Sequence, residues 1–170
     1  MRSLSDLGIA DVVDETADSI AGNAALKARA AMLATGLPAL ADDSGLEVEA
    51  LGGEPGVHSA RWAGNVSAAE RNALLLQRLA TVPDARRGAR FVCVIALCHP
   101  NGASGAARGE VAGRITQQAQ GDGGFGYDPL FLLPELGVTY AQLRPEQKNS
   151  ASHRARAFAA LLPLLPLLCP

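Results

Sequence analysis

An α/β fold with a mixed sheet is what this chain predicts, on three observations. Segments of helical and strand character interleave along its 170 residues. A long hairpin occupies the middle, and no internal repeat or long linker breaks the pattern. With 48% hydrophobic and 19% charged residues, the chain suffices for a single domain with a substantial core.

Each element has its own signal. "DSIAGNAALKARAAMLATG" opens on Asp18 or Ser19 as N-cap, has an alanine-rich body and stops at Gly36, so it predicts a helix. Leu40 and Ala41 fit a short buried strand ending at Asp42. "SAAERNALLLQRLATVP" sets Ser67 three residues before Glu70, a capping box, and predicts a second helix ending before Pro83. "ARFVCVIALCHPNGASGAARGEVAGRITQQ" places an Asn-Gly turn between two strand-like runs, which predicts a hairpin. "RPEQKNSASHRARAFAALL" predicts one last helix, with Pro145 in its first turn.

Composition excludes several functions. A net charge of -2 and a pI near 5.9 supply no basic footprint for duplex nucleic acid, so a nucleic-acid ligand would be a single nucleotide. Cys93 and Cys98 lie an odd number of residues apart in one strand and should face opposite sides of the sheet. With Cys169 they read as free thiols of a reducing cytosol. "MRSLSDLGIADVVDE" has acids where a secretory leader needs an apolar core. "LLPLLPLLCP" is proline-broken and too short for a membrane span; it reads as the end of the last helix, packing down and then fraying.

The adjacent Asp42 and Asp43 admit two readings. As turn residues they would bond nearby backbone N–H groups where the chain leaves a strand, with Gly45 in support. As a functional pair they would repel each other unless a cation or proton neutralised one. Oxygen ligands without nearby His or Cys select magnesium or manganese over zinc. Asp14 and Glu15 precede the first helix and either complement its dipole or face the same cleft.

"GDGGFGYDP", residues 121 to 129, is equally open. It is a flexible surface turn, or its aromatics cover something flat such as a purine, where stacking contributes about 1–3 kcal/mol. Downstream, Lys148, Ser152, His153 and Arg154 fall within two predicted helical turns, either as a solvated face or as a cluster of donors. Lys27 and Lys148 are the only lysines beside thirteen arginines, which favours a point-charge contact at Lys148.

Taken in order, "LADDSGLEVEALGGEPGVHSARWAG", "GDGGFGYDPLF" and "EQKNSASHRARAF" resemble the inosine triphosphate pyrophosphatase family, over about Leu4 to Leu161. The resemblance implies an elongated, twisted mixed sheet with flanking helices and a central nucleotide cleft, in a cytoplasmic homodimer. It implies hydrolysis of ITP, dITP or XTP between the α and β phosphorus atoms, with Mg2+ as cofactor and Mn2+ as substitute. Carried over, Asp43 is general base and metal contact, Glu15 the second metal site, and Ser44 a nucleotide contact. Phe125, Gly126, Tyr127 and Asp128 form the base-and-sugar loop, while Lys148, His153 and Arg154 complete the substrate contacts. A site lined with donors such as Arg154 would welcome the 6-oxo group of hypoxanthine or xanthine and reject adenine's 6-amino group.

The sequence also departs from the family. The resemblance sets an opening strand, a Thr/Ser-Gly-Asn-x-x-Lys phosphate loop and a helix ahead of residue 1. The chain is therefore expected to be a single domain truncated at its N-terminus, with one sheet edge unpaired, part of the phosphate clamp absent and little activity. Gly22 stands where an acid is common, and His58 and Trp62 replace tyrosines. Two alternatives stay open. One is a catalytically impaired nucleotide-binding remnant; the other is a phosphatase that works through a phosphoaspartate at "DDSG".

Overall fold

A computed structural model describes residues 2–10 and 13–168 of the chain. After a 3₁₀ turn at Ser5–Leu7, helix α1 runs from Ile20 to Thr35. Ser19 is its cap: extended backbone lets the hydroxyl accept the Gly22 N–H, and Gly36 ends the helix in a left-handed conformation. Helix α2, Ala68–Arg78, begins with the expected capping box of Ser67 and Glu70.

Six strands make one sheet: β1 (Ala39–Val48), β2 (Pro55–Gly56), β3 (Gly88–Cys98), β4 (Ser104–Ile115), β5 (Phe131–Leu133) and β6 (Val138–Thr139). Their order is β2-β1-β3-β4-β5-β6. The α/β class and flanking helices are as the sequence predicts. Within the described residues, however, all five pairings are antiparallel rather than mixed. Most links between neighbouring strands are turns too short for the crossover a parallel pair needs.

β1 is not the short strand expected. It continues through Asp42 and Asp43 to Val48, because β3 pairs with it at each position from Ala39↔Cys98 to Val48↔Ala89. The turn reading of the aspartates fails for that reason. Gly45 belongs to a close approach instead, since a Cβ there would meet the Gly56 carbonyl oxygen at 2.3 Å. On its other side β1 pairs with β2 only at Leu46 and Glu47.

The sheet is covered on both faces. Ile20, Ala24 and Ala28 of α1 pack on Val92, Val94 and Ala96. On the opposite face, Ala157 and Leu161 pack on Cys93, Ile95 and Ala107. Cys98 lies beside the first cluster and Cys93 within the second, as strand alternation requires, and both are free thiols. Cys169 falls outside the described residues. A third cluster holds Phe91, Phe131 and Tyr140 with Leu46, Leu75 and Leu79; full burial of each large apolar side chain contributes roughly 1.5–3 kcal/mol.

The single last helix is two. Helix α3 (Pro145–Ala151) stops at Ser152, whose backbone is extended (φ -71°, ψ 160°) and whose hydroxyl accepts the Ala155 N–H to start α4 (His153–Leu161). Ser152 thus breaks and recaps the chain in one residue. Gly109 lets α4 lie flat on β4, because a Cβ there would sit 2.1 Å from the Ala157 nitrogen. The tail forms a 3₁₀ turn and α5 (Leu165–Leu168), with Leu164 and Leu165 against the sheet.

Candidate active site

Alternation along β1 sends its two aspartates to opposite faces. Asp43 turns toward α1, where Lys27 Nζ lies 2.9 Å from Asp43 Oδ1 and 2.8 Å from Glu15 Oε1. Arg61 closes the cluster, with one guanidinium nitrogen 3.1 Å from Glu15 Oε2 and the other donating to the Glu15 carbonyl at 3.2 Å. Asn23, one turn before Lys27, accepts the Ala17 N–H at 3.0 Å and so ties the Glu15 segment to the helix. The resemblance paired Glu15 with Asp43, and the structure brings them to one cation.

The electrostatics follow from burial. Asp43 is 8% exposed; desolvation raises its pKa, opposed by the hydrogen bond from Lys27. Burial works against the Lys27 charge, yet its bonds to Glu15 and Asp43 outweigh it and hold the ammonium above its ordinary pKa. Lys27 holds Glu15 below the usual carboxylate range. A buried carboxylate with a raised pKa is a stronger base than an exposed one, provided it stays ionised.

The same residues fit a divalent cation. Asp43 Oδ2 is buried and makes no hydrogen bond of ordinary geometry, although the Asn23 side chain lies near enough to Asp43 to lower its pKa. No group of three or more His, Cys, Asp or Glu side chains gathers among the described residues. One or two carboxylates, completed by phosphate oxygens and water, is the ligand set of magnesium rather than of zinc.

Asp42 turns toward α4. Its Oδ2 accepts from Arg154 Nε at 2.8 Å, from Ser44 Oγ at 3.4 Å and from Cys93 Sγ at 3.7 Å. Arg154 in turn sits 5.9 Å from the Phe125 ring centroid, and Lys148 sits 4.3 Å from it. Phe125 is 65% exposed, a flat apolar ring with two cations near it.

The loop beneath Phe125 is built around Asp128, 2% exposed. Its carboxylate accepts the Phe125 N–H at 2.7 Å and is paired with the Lys148 ammonium. Asp128 therefore holds both the loop and the lysine through its Oδ2. Tyr127 is also anchored, donating its hydroxyl hydrogen to the Ser59 carbonyl at 3.1 Å. Gly126 offers its carbonyl to Asn72 of α2 at 3.1 Å. His153 stacks on Phe91, with centroids 4.9 Å apart and planes at 12°. Burial, then the nearby Arg154 and Lys148 charges, lower its pKa to about 4, so it is a neutral imidazole at pH 7.

Two adjoining cavities share Asp42, Phe125, His153 and Arg154 in their walls. The smaller, about 400 Å³, contains Asp43, Ser44, Lys27 and Arg71; the larger, about 810 Å³, runs along α3 and α4. The other residues carried over by resemblance line one cavity or the other, whereas Glu15 lines neither and is joined to the cleft through its bond to Lys27. Sequence reasoning missed Lys27 and Arg71 as cleft residues and Arg61 as the partner of Glu15. Asn23 and Lys27, four apart on an otherwise alanine-rich helix, were the signal available for the first.

Comparison with known proteins identifies the family. A model of the Ham1 family matches residues 1–164. The chain is 53% identical to the dITP/XTP pyrophosphatase of Symbiobacterium thermophilum over 156 residues, 92% of this chain and 78% of that one. It is 54% identical to the dITP/XTP pyrophosphatase of Thermus thermophilus over 140 residues, 82% of this chain and 68% of that one. Among solved structures, the Ham1 protein of Staphylococcus aureus superposes with a TM-score of 0.88 at 43% identity, covering 96% of this chain and 84% of that one. With its Asp43 cluster, its Phe125 loop and these relatives, the chain belongs to the Ham1 family.

Proposed function

We propose that the protein hydrolyses the triphosphates of non-standard purines, ITP, dITP and XTP, to the monophosphate and pyrophosphate. The observation that carries this reading is the cleft itself: a buried carboxylate at one end and, at the other, an exposed aromatic ring with two cations 4.3 and 5.9 Å from its centre. Relatives about 50% identical bear the name dITP/XTP pyrophosphatase.

Asp43 is the group to orient a water and take its proton, since burial raises its pKa while Lys27 fixes its direction. Lys27 and Arg71 line that end of the cavity and would hold phosphate oxygens. Ser44, which lines the same cavity, offers a hydroxyl. Phe125 stacks the base, and Arg154 presents N–H donors that fit a 6-oxo group and leave adenine's 6-amino group unpaired. Magnesium, with manganese as substitute, is part of the proposal; held by Glu15 and Asp43, it would supply further positive charge to the phosphates.

A homodimer and a cytosolic location belong to the same proposal. Leu26 and Leu33, seven residues apart on α1, and nearby Leu37 expose 38%, 68% and 52% of their surface, and such apolar side chains mark candidate contacts. The free thiols Cys93 and Cys98 suit a reducing compartment. No helix among the described residues is long and apolar enough to cross a membrane.

The test is incubation of the purified chain with ITP, XTP, GTP and ATP in magnesium, measuring pyrophosphate and phosphate separately. Pyrophosphate from ITP and XTP, with ATP spared, is expected. Free phosphate as the first product would contradict the reading and favour a phosphoaspartate route. Binding of ITP without turnover would leave only a nucleotide-binding protein.

A further inference from the structure

We propose that Asp42 positions Arg154 toward the purine base, so that the adjacent aspartates serve opposite ends of the nucleotide: Asp43 the phosphates and Asp42 the base. This inference rests on the pyrophosphatase reading and assigns a residue that the reading leaves idle.

The strand geometry separates the two roles. Asp43 meets Lys27 on the α1 face and Asp42 meets Arg154 on the α4 face, and a strand cannot turn both side chains the same way. The contact geometry supplies the rest. Asp42 takes the Arg154 side chain by its Nε, at 2.8 Å, and the terminal guanidinium nitrogens make no hydrogen bond among the described residues. A guanidinium held by its inner nitrogen keeps its outer donors for a ligand. Asp42 is fixed in its turn by Ser44 Oγ and Cys93 Sγ.

Charge balance points the same way. Lys148 and Arg154 both approach the Phe125 ring, at 4.3 and 5.9 Å, and repel each other there. Each has its own carboxylate: Asp128 takes Lys148 and Asp42 takes Arg154. Without Asp42, a half-exposed arginine beside a second cation is free to swing into solvent. The pairing also matters for selectivity, because an unpaired Asp42 would offer an acceptor to adenine's 6-amino group, whereas the pair presents donors to an oxo group.

The test uses wild type, Asp42→Asn and Asp42→Glu, with kcat and KM for ITP and ATP, affinities for IMP and AMP by calorimetry, and melting temperatures. For Asp42→Asn, the preference for ITP over ATP in kcat/KM is expected to fall at least about tenfold, more through KM than kcat. IMP binding should weaken in parallel. Asp42→Glu, which keeps the charge, should retain more of the preference and remains informative if the amide variant does not fold. A wild-type preference for ITP preserved in both variants would overturn the role of Asp42 alone. So would a collapse of kcat with KM and preference unchanged, because Asp42 would then act at the phosphates. A wild-type enzyme that does not distinguish ITP from ATP would overturn the pyrophosphatase reading itself, and this inference with it.

Discussion

His153 is 4% exposed and packed flat on Phe91, and its environment makes folding sensitive to acid. Burial lowers its pKa from 6.5 to about 4, so between those values the unfolded chain binds a proton that the native state refuses. The stabilisation is fully present above pH 6.5 and is lost as pH falls toward 4. Between pH 7 and pH 5 it amounts to about 2 kcal/mol, from 1.36 kcal/mol per pKa unit. Denaturant unfolding at the two pH values should show that loss in wild type and a smaller one in His153→Gln. Equal losses would mean that His153 titrates normally. At this scale the sequence was half legible. Asp43, Phe125, Lys148 and Arg154 stand out as types and motifs, but Lys27 does not, since its role depends on a helix face meeting a strand distant in sequence. Asp128 is legible as a site residue, yet only the fold shows that its carboxylate faces Phe125 and Lys148 rather than open solvent.

Helix α4 delivers His153 and Arg154 to the cleft only because it lies directly on β4. Gly109 sets that distance: an added Cβ would fall 2.3 Å from the His153 carbonyl oxygen and 2.1 Å from the Ala157 nitrogen, both backbone atoms. Gly109→Ala should therefore push α4 off the sheet, destabilising the protein by about 1–3 kcal/mol and raising KM for ITP as Arg154 moves. Chemical denaturation and steady-state kinetics on the variant check both effects; unchanged stability and KM would show that α4 has slack there. Helix caps at Ser19 and Ser67, the hairpin and the free thiols on opposite faces were all readable, because each is a local pattern. The break at Ser152 and the extension of β1 were not. Ser152 reads as one more polar residue in a helix until its hydroxyl is seen capping the next one, and β1 runs past Asp43 because of its ladder with β3, nearly fifty residues on.

At the scale of the whole molecule, the α/β class followed from interleaved helices and strands, while the antiparallel pairing and the strand order did not, since periodicity is blind to direction. The cleft forms where three distant segments meet: α1 with β1, the Phe125 loop, and the start of α4. That convergence sets a buried carboxylate and an exposed aromatic ring in the walls of one cavity. Replacing Asp43 by asparagine tests the account most directly, because the isosteric amide keeps the shape and removes the base. Pyrophosphate release from ITP should fall about 100-fold or more in kcat, with the melting temperature close to wild type and IMP still bound. An Asp43→Asn enzyme that released pyrophosphate from ITP at the wild-type rate would contradict the account.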